Sequence, residues 1–343
     1  RGDSASSGGG RRSTVSPLVD LRCRLADHGG TEVFSVATDE RAYWRLTALD
    51  TFDGVVWSSN DSYRPARDTL GRDDGSPPVP TVEVLQSFRI ESLASIWLPA
   101  AYRPVEARGV RNVGYNAEAA SLITDRATTD GLAYQVRSLV PRLDPSLLAG
   151  GATPVPPALA RFLELPAMPD RVARDARAVT ARAVTPYARA RALQDWFQTF
   201  TYDLSFRAPR SGSGHSSDAI VAFLNARRGS CEQFAGTFAV MARLLGLPAR
   251  VAVGFTPGEL GADGRYHVRD EHAHAWPEVW FAGAGWVAFE PTPGRGAPGA
   301  QPYTGLPEAQ AASGVPNTAT TLTMPAPEAA PGEEEVPAGE GET

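Results

Sequence analysis

The sequence predicts an α+β chain, with strands in its amino-terminal part and then helices leading into a β-hairpin. Three observations carry that prediction. Short β-prone segments separated by Gly, Pro, Asn and Asp recur through residues 31–140. A Pro-rich joint over residues 150–157 interrupts the pattern. Beyond it, apolar residues recur at helical spacing to about residue 245, and two aromatic, β-branched segments then flank an Ala-Gly-Ala-Gly turn.

Residues 1–14 are rich in Gly and Ser and read as a flexible linker. Residues 15–149 are expected to form an all-β, sandwich-like domain, with strands near 31–37, 42–46, 55–57, 81–85 and 134–140. Trp44, Trp57 and Trp97 are assigned to its core. Cys23 lies in an alternating apolar and charged run and is expected to pack in a strand. Residues 150–295 form the second unit. Helices are expected over 158–163, 170–184 and 187–200, the last with a buried stripe of Leu193, Trp196, Phe197 and Phe200. A polar loop, 209–217, follows and is expected to flank a cleft, with His215 solvated. Asp218 is a suitable N-cap for a helix over 219–225. Residues 296–343 turn rich in Pro, Ala and Glu and read as a disordered linker.

The helix after Ser230 carries the clearest chemistry. Ser230 is a good N-cap, and Gln233 completes a capping-box pattern, so Cys231 falls at the first helical position. Phe234, Phe238, Met241 and Leu245 mark a buried face on the same side. Gly246 supplies a left-handed cap and Pro248 prevents continuation. The start of a helix offers unpaired N–H groups and the positive end of the dipole. Both favour a thiolate, the nucleophilic form of cysteine, and the same N–H groups suit an oxyanion.

The hairpin supplies partners. Segments 275–281 and 286–289 pair about the turn at 282–285, which puts Glu290 opposite Trp276 or Pro277, on the diagonal from His274. One imidazole nitrogen of His274 is then within reach of Glu290 while the other faces Cys231, a nucleophile, base and orienting acid. His272 is the competing imidazole. Strand alternation would turn it to the same side as His274, but it ends a polar stretch and is expected to be solvated or to sit behind the site. Glu278 shares that face. It is a second carboxylate candidate, more simply read as a structural hydrogen-bond partner or a cleft-lining residue. Trp276, Glu278 and His272 are the candidate substrate-binding residues.

Four segments together resemble the transglutaminase-like superfamily: Gly-Ser-Cys-Glu-Gln-Phe-Ala from 229, residues 244–255, His-Ala-Trp-Pro-Glu-Val-Trp from 274, and Gly-Trp-Val-Ala-Phe-Glu-Pro-Thr from 285. The resemblance covers about 155–295 and is nearest the bacterial membrane-anchored transglutaminase-like proteins. Residues 43–57 also resemble the region that precedes the core in those proteins. The resemblance implies a papain-like core of helices plus antiparallel sheet, with Cys231 as nucleophile, His274 as base and Glu290 as orienting carboxylate. It also implies transmembrane helices flanking this segment, on the extracytoplasmic side of a bacterial plasma membrane. The chain departs from the family at two positions. Glu290 stands where Asp is usual, and Pro277 stands where a β-branched residue is usual, so that point of the strand is expected to be an edge or a bulge.

The expected activity is thiol-dependent acyl transfer on protein or peptide substrates, those of the cell envelope included, resolved by an amine or by water. The alternative is a catalytically degenerate cleft that binds an envelope peptide or protein. A net charge of −6 gives no reason to expect nucleic-acid binding. The chain contains no lysine, which excludes a Walker-type phosphate loop and a catalytic lysine. The two cysteines make neither a disulfide framework nor a zinc pattern, and no calcium-loop motif is present, so no cofactor is expected. No apolar run of about 20 residues is present.

Overall fold

The computed structural model describes residues 30–60, 62–71, 79–125, 131–150, 154–206 and 216–310. Cys23, the linker over 1–14, residues 209–215 of the expected cleft-flanking loop with His215, and the carboxy-terminal linker from 311 lie outside the described residues.

Strands dominate the amino-terminal part and helices enter after residue 145, as the α+β reading requires. The two parts nevertheless share their sheets. A six-stranded sheet runs Glu259–Leu260, Tyr266–Arg269, Glu32–Thr38, Thr81–Ile90, Ala133–Pro141, Pro104–Arg108, so two strands of the carboxy-terminal part extend it. A four-stranded sheet runs Gly285–Ala288, Ala273–Phe281, Ala249–Phe255, Trp44–Leu49, closed by a strand from the amino-terminal part. The sequence reading separated these halves at 149/150. The reason they merge is visible in Trp44–Leu49, which is buried at every position and needs cover on both faces. A second four-stranded sheet, Arg64–Pro65, Gly114–Asn116, Ser121–Ile123, Trp97–Leu98, completes the amino-terminal part. One continuous hydrophobic core joins Phe34, Trp44 and Phe88 to Phe223, Phe234 and Phe238.

The Cys231–Leu244 helix occupies the centre. All of its residues through Arg243 are buried, not one face alone. It lies against strands Ala273–Phe281 and Ala249–Phe255 on one side and helices Asp170–Val179, Pro186–Phe197 and Ser217–Ala226 on the other. Phe197, Phe200 and Phe223 pack around Phe234 of this helix, the Phe223 and Phe234 rings meeting edge to face at 5.0 Å. Each such side chain contributes roughly 2–3 kcal/mol by its burial.

Three helix boundaries differ from expectation. The helix expected over 170–184 stops at Val179, where the Thr180 hydroxyl donates to the Ala176 carbonyl at 2.8 Å. Residues Pro157–Leu163 form a 3₁₀ helix. The next helix begins at Ser217 with Ser216 as N-cap, its Oγ accepting from the Ala219 N–H at 3.2 Å, so Asp218 sits in the first turn instead.

Two further expectations need correction. Residues 296–310 are not a loose linker. Gly296 and Ala309 exchange backbone hydrogen bonds, Gln301–Thr304 forms a helical turn, and Arg41 pairs with Glu308 at 2.9 Å. The strand carrying Pro277 is internal, not an edge. Pro277 accepts from the Phe289 N–H at 3.0 Å, just beyond the last paired residue, Ala288. Its missing donor therefore falls where the neighbouring strand has already ended.

Candidate active site

Ser230 adopts an extended conformation (φ −88, ψ 168) that starts the helix at Cys231. The Gln233 carboxamide oxygen accepts the Ser230 N–H at 2.8 Å, fixing this corner. Gly229 is required here, because a Cβ would lie 2.3 Å from that same oxygen. Cys231 is fully buried, and the Ala275 N–H of the facing strand donates to its sulfur. The thiol therefore lies next to the backbone of the residue that follows His274.

His274 is also fully buried, opposite Gly254 on the adjacent strand. Its Nε2 lies 2.8 Å from Glu290 Oε2. A carboxylate only accepts, so Nε2 carries the proton and Nδ1 holds a free lone pair. That Nδ1 is buried and has no hydrogen-bond partner. Glu290 is held from several sides. Its Oε2 also accepts the Tyr43 hydroxyl at 2.8 Å, and its Oε1 accepts the Thr292 N–H at 3.0 Å. Its backbone N–H donates to Gln194 Oε1 at 3.2 Å, and its carbonyl accepts from Gln198 Nε2 at 2.8 Å. Burial works to raise the Glu290 pKa, but His274, the Tyr43 hydroxyl and Arg295 hold it below the usual carboxylate value. Burial lowers the His274 pKa, opposed by Glu290 and reinforced by Arg295.

The thiol departs from expectation. Burial pushes the Cys231 pKa up to about 12, against the pull of Arg295 and the Ala275 N–H. Desolvation outweighs the helix start, so the closed site holds a neutral thiol beside a neutral imidazole.

The remaining candidates are structural by contact. His272 is not solvated. It ends the 3₁₀ turn Asp270–His272, ahead of the strand, and its Nδ1 accepts the Arg269 N–H at 2.9 Å. Burial and Arg295 take its pKa down to about 4. Glu278 is buried between Arg250, at 2.6 Å, and Arg45. Trp276 is buried against the Tyr43 ring at 4.9 Å and faces the His274 ring at 6.0 Å. Ligand atoms of Glu259, Glu271 and His272 lie within 4.8 Å of one another, although Glu259 is already paired with Arg269 at 2.8 Å.

Sequence reasoning missed Tyr43, Gln194, Gln198 and Arg295. Tyr43 stands 247 positions from Glu290, and no local pattern links them. Gln194 is fully buried on its helix, and its sequence neighbours do not mark it apart from an exposed helical glutamine.

A cysteine opening a central helix, packed on an antiparallel sheet that carries a paired histidine and carboxylate, defines a papain-like cysteine core of the transglutaminase-like class. Residues 174–291 are a transglutaminase-like superfamily domain, and residues 2–145 match the TgpA N-terminal domain. The chain is homologous to the periplasmic domain of TgpA from Pseudomonas aeruginosa. That crystal structure superposes with a TM-score of 0.62 at 25% identity, over 79% of this chain and 90% of that one. The protein-glutamine gamma-glutamyltransferase of Pseudomonas aeruginosa PAO1 is 27% identical over 74% of this chain and 36% of its own length. The uncharacterized protein YebA of Bacillus subtilis is 33% identical over 39% of this chain and 19% of its own length. The chain thus spans about a third or less of these two curated relatives. Among the described residues no helix is long and apolar enough to cross a membrane.

Proposed function

We propose that this chain catalyses thiol-dependent acyl transfer on protein or peptide substrates, with Cys231 as nucleophile, His274 as base and Glu290 as orienting carboxylate. The observation that carries the proposal is the buried His274–Glu290 pair at 2.8 Å with an unpartnered Nδ1, set on a strand whose next N–H meets the Cys231 sulfur.

The chemistry follows from that arrangement. Nδ1 of His274 takes the thiol proton, and the sulfur adds to a carboxamide carbon. The carbonyl oxygen becomes an oxyanion at the start of the Cys231–Leu244 helix, where the positive end of the helix dipole favours it. Collapse of the tetrahedral adduct breaks the carbon–nitrogen bond, and Nδ1–H protonates the leaving nitrogen. The thioester is then opened by a second nucleophile that gives its proton to Nδ1. Glu290 keeps the imidazole in the tautomer each step needs.

Transamidation is the favoured outcome over hydrolysis. Cys231, His274 and Glu290 are at most 1% exposed, and a site that excludes water suits an amine acceptor. The name of the 27% identical relative, a protein-glutamine gamma-glutamyltransferase, agrees with a glutamine-type acyl donor. A degenerate binding cleft is disfavoured because the Glu290 carboxylate retains three hydrogen-bond partners including the imidazole. We assign the chain to the extracytoplasmic face of a bacterial membrane, tethered through flanking segments and acting on envelope protein or peptide without nucleic acid or cofactor.

The test is incubation with a glutamine-rich protein and a labelled primary amine, read by mass spectrometry. Label incorporation that disappears in Cys231→Ala and His274→Ala supports transamidation. Cleavage without label assigns hydrolysis. Incorporation that survives Cys231→Ala ends the proposal.

A further inference from the structure

Arg295 is the one guanidinium among the described residues whose three nitrogens are all buried without a hydrogen-bond partner. It is 2% exposed and lies beyond the matched core, after the turn closed by its own N–H donating to the Thr292 carbonyl at 3.2 Å. Its Cζ is 5.9 Å from the centre of the Tyr202 ring. The Tyr202 hydroxyl, also buried, sits beside the guanidinium, which works to lower its pKa against the effect of burial. The other buried arginines among the described residues keep at least two nitrogens partnered, and Arg250 leaves only Nη2 open. Arg45 and Arg250 share Glu278, and Arg243 donates to the carbonyls of Asp50, Glu164 and Ala249. A buried cation with open donors is costly unless it acquires an anion.

The groups around it say which anion. Arg295 acts electrostatically on Cys231, Glu290, His274, His272, Tyr43 and Tyr202. In the closed state the charges near the thiol are Glu290 and Glu232, both negative, and Arg295, positive. When the Cys231 S–H bond breaks and the proton passes to His274 Nδ1, a sulfur anion and an imidazolium appear together. Glu290 already partners the imidazolium. The sulfur anion faces two carboxylates and needs a cation of its own.

We propose that Arg295, with the Tyr202 hydroxyl beside it, is the counter-ion of the Cys231 thiolate. The proposal rests on Cys231 being the nucleophile. Its guanidinium leaves its donors open in the thiol state and fills them when the sulfur becomes anionic. Arg295 then does for the thiolate what Glu290 does for the imidazolium, so the ion pair forms between two fixed charges of the matching sign.

The experiment compares wild type with Arg295→Gln, Arg295→Lys and Tyr202→Phe. Iodoacetamide alkylation is followed against pH by mass spectrometry of the peptide that contains Cys231, which separates it from Cys23. Amine incorporation is measured on the same samples. Arg295→Gln is expected to slow alkylation of Cys231 by about 10–100-fold at each pH between about 7 and 10, the scale of losing one adjacent opposite charge. Its kcat is expected to fall by about 10–100-fold with KM unchanged, and Arg295→Lys is expected to recover more than half of both effects. Tyr202→Phe is expected to slow alkylation in the same direction by less. Should Arg295→Gln not fold, Arg295→Met replaces it and is read the same way. A wild-type alkylation rate in a folded neutral variant overturns the proposal, as does a lysine variant no better than glutamine. Alkylation requires no acyl transfer, so failure of the proposed activity and failure of this inference give different results.

Discussion

The Tyr43 hydroxyl and the His274 imidazole meet on a single oxygen, Oε2 of Glu290, each at 2.8 Å. Tyr43 precedes the strand Trp44–Leu49, whose approach to Ala249–Phe255 depends on Gly254. A Cβ at Gly254 would lie 2.1 Å from the Trp44 carbonyl oxygen. The amino-terminal part therefore supplies a residue that fixes the Glu290 carboxylate, and a missing side chain on the facing strand lets it do so.

Tyr43→Phe removes one donor to Glu290 and leaves the ring packing on Trp276 in place. A hydrogen bond to a buried charge contributes about 1.5–3 kcal/mol, and orientation of the imidazole depends on part of it. The expected result is a kcat loss of about 5–30-fold in amine incorporation, with KM changed by less than about twofold, because only the reacting geometry is loosened. Gly254→Ala is expected to lose activity and stability together, and calorimetry separates it from Tyr43→Phe.

Glu290→Gln keeps the length of the side chain and removes its charge. Gln offers one acceptor where Glu290 now serves His274, Tyr43 and the Thr292 N–H. The imidazolium loses its counter-charge, and kcat is expected to fall by more than about 100-fold. Glu290→Asp is expected to fall less, because charge remains while one methylene of reach is lost. Steady-state rates at fixed pH check the order wild type, Asp, Gln. An Asp variant faster than wild type would show that Glu290 is a poor substitute for the residue usual in the family.

The Cys231 helix, its caps and the hairpin register were legible in the sequence because they depend on neighbours close along the chain. Ser230, Gln233 and Gly246 act within one turn of helix, and the pairing of Glu278 with Ala288 follows from the length of the turn. The state of the thiol was not legible. Helix starts favour thiolate, but burial by residues far apart in sequence decides the sign, and it raises the pKa. The same limit hid the ion pairs of Glu278, whose partners Arg45 and Arg250 come from strands flanking the one that carries it or beyond. Residues 296–310 were read as linker because Pro and Gly are abundant there, yet backbone carbonyls and one tyrosine, Tyr303, anchor them.

Burial works to raise the Glu278 pKa, but Arg250 and Arg45 hold it at about 2. A carboxylate depressed on folding contributes stability that is present above the unfolded pKa of about 4.3 and lost as pH falls toward the folded value. Thermal denaturation is expected to show Tm steady from pH 7 to about 5, then falling between about 4.5 and 2. Glu278→Gln is expected to cost about 3–5 kcal/mol at pH 7, since it leaves two buried arginines without a counter-charge. The variant should also lose the low-pH slope. A Tm profile identical to wild type would place the acid-sensitive group elsewhere.

His272→Ala is expected to retain amine incorporation within about threefold of wild type while losing about 1–2 kcal/mol of stability, because its Nδ1 serves the Arg269 N–H. Measuring rate and Tm on both histidine variants distinguishes the two imidazoles. Loss of activity in His272→Ala with activity kept in His274→Ala would reverse their roles.

The last prediction concerns residues 300–310. The Tyr303 carbonyl accepts from Tyr187 Oη at 2.5 Å and from Arg191 Nη1 at 2.7 Å. The Thr304 carbonyl accepts from Gln194 Nε2 at 2.9 Å, and the other end of that carboxamide holds the Glu290 N–H at 3.2 Å. One glutamine thus ties the segment to the orienting carboxylate. Truncation after residue 299 removes both carbonyls and the buried Tyr303 ring, a loss of roughly 3–5 kcal/mol for an aromatic deletion. It also frees the Gln194 amide to turn. The expected outcome is a lower Tm and a kcat loss, whereas truncation after residue 310 should leave both unchanged. Gln194→Leu in the full chain isolates the coupling, because it keeps residues 300–310 in place but leaves the Glu290 N–H without its acceptor. A rate loss in that variant equal to the loss on truncation would assign the whole effect to Gln194, and an unchanged rate would assign it to packing.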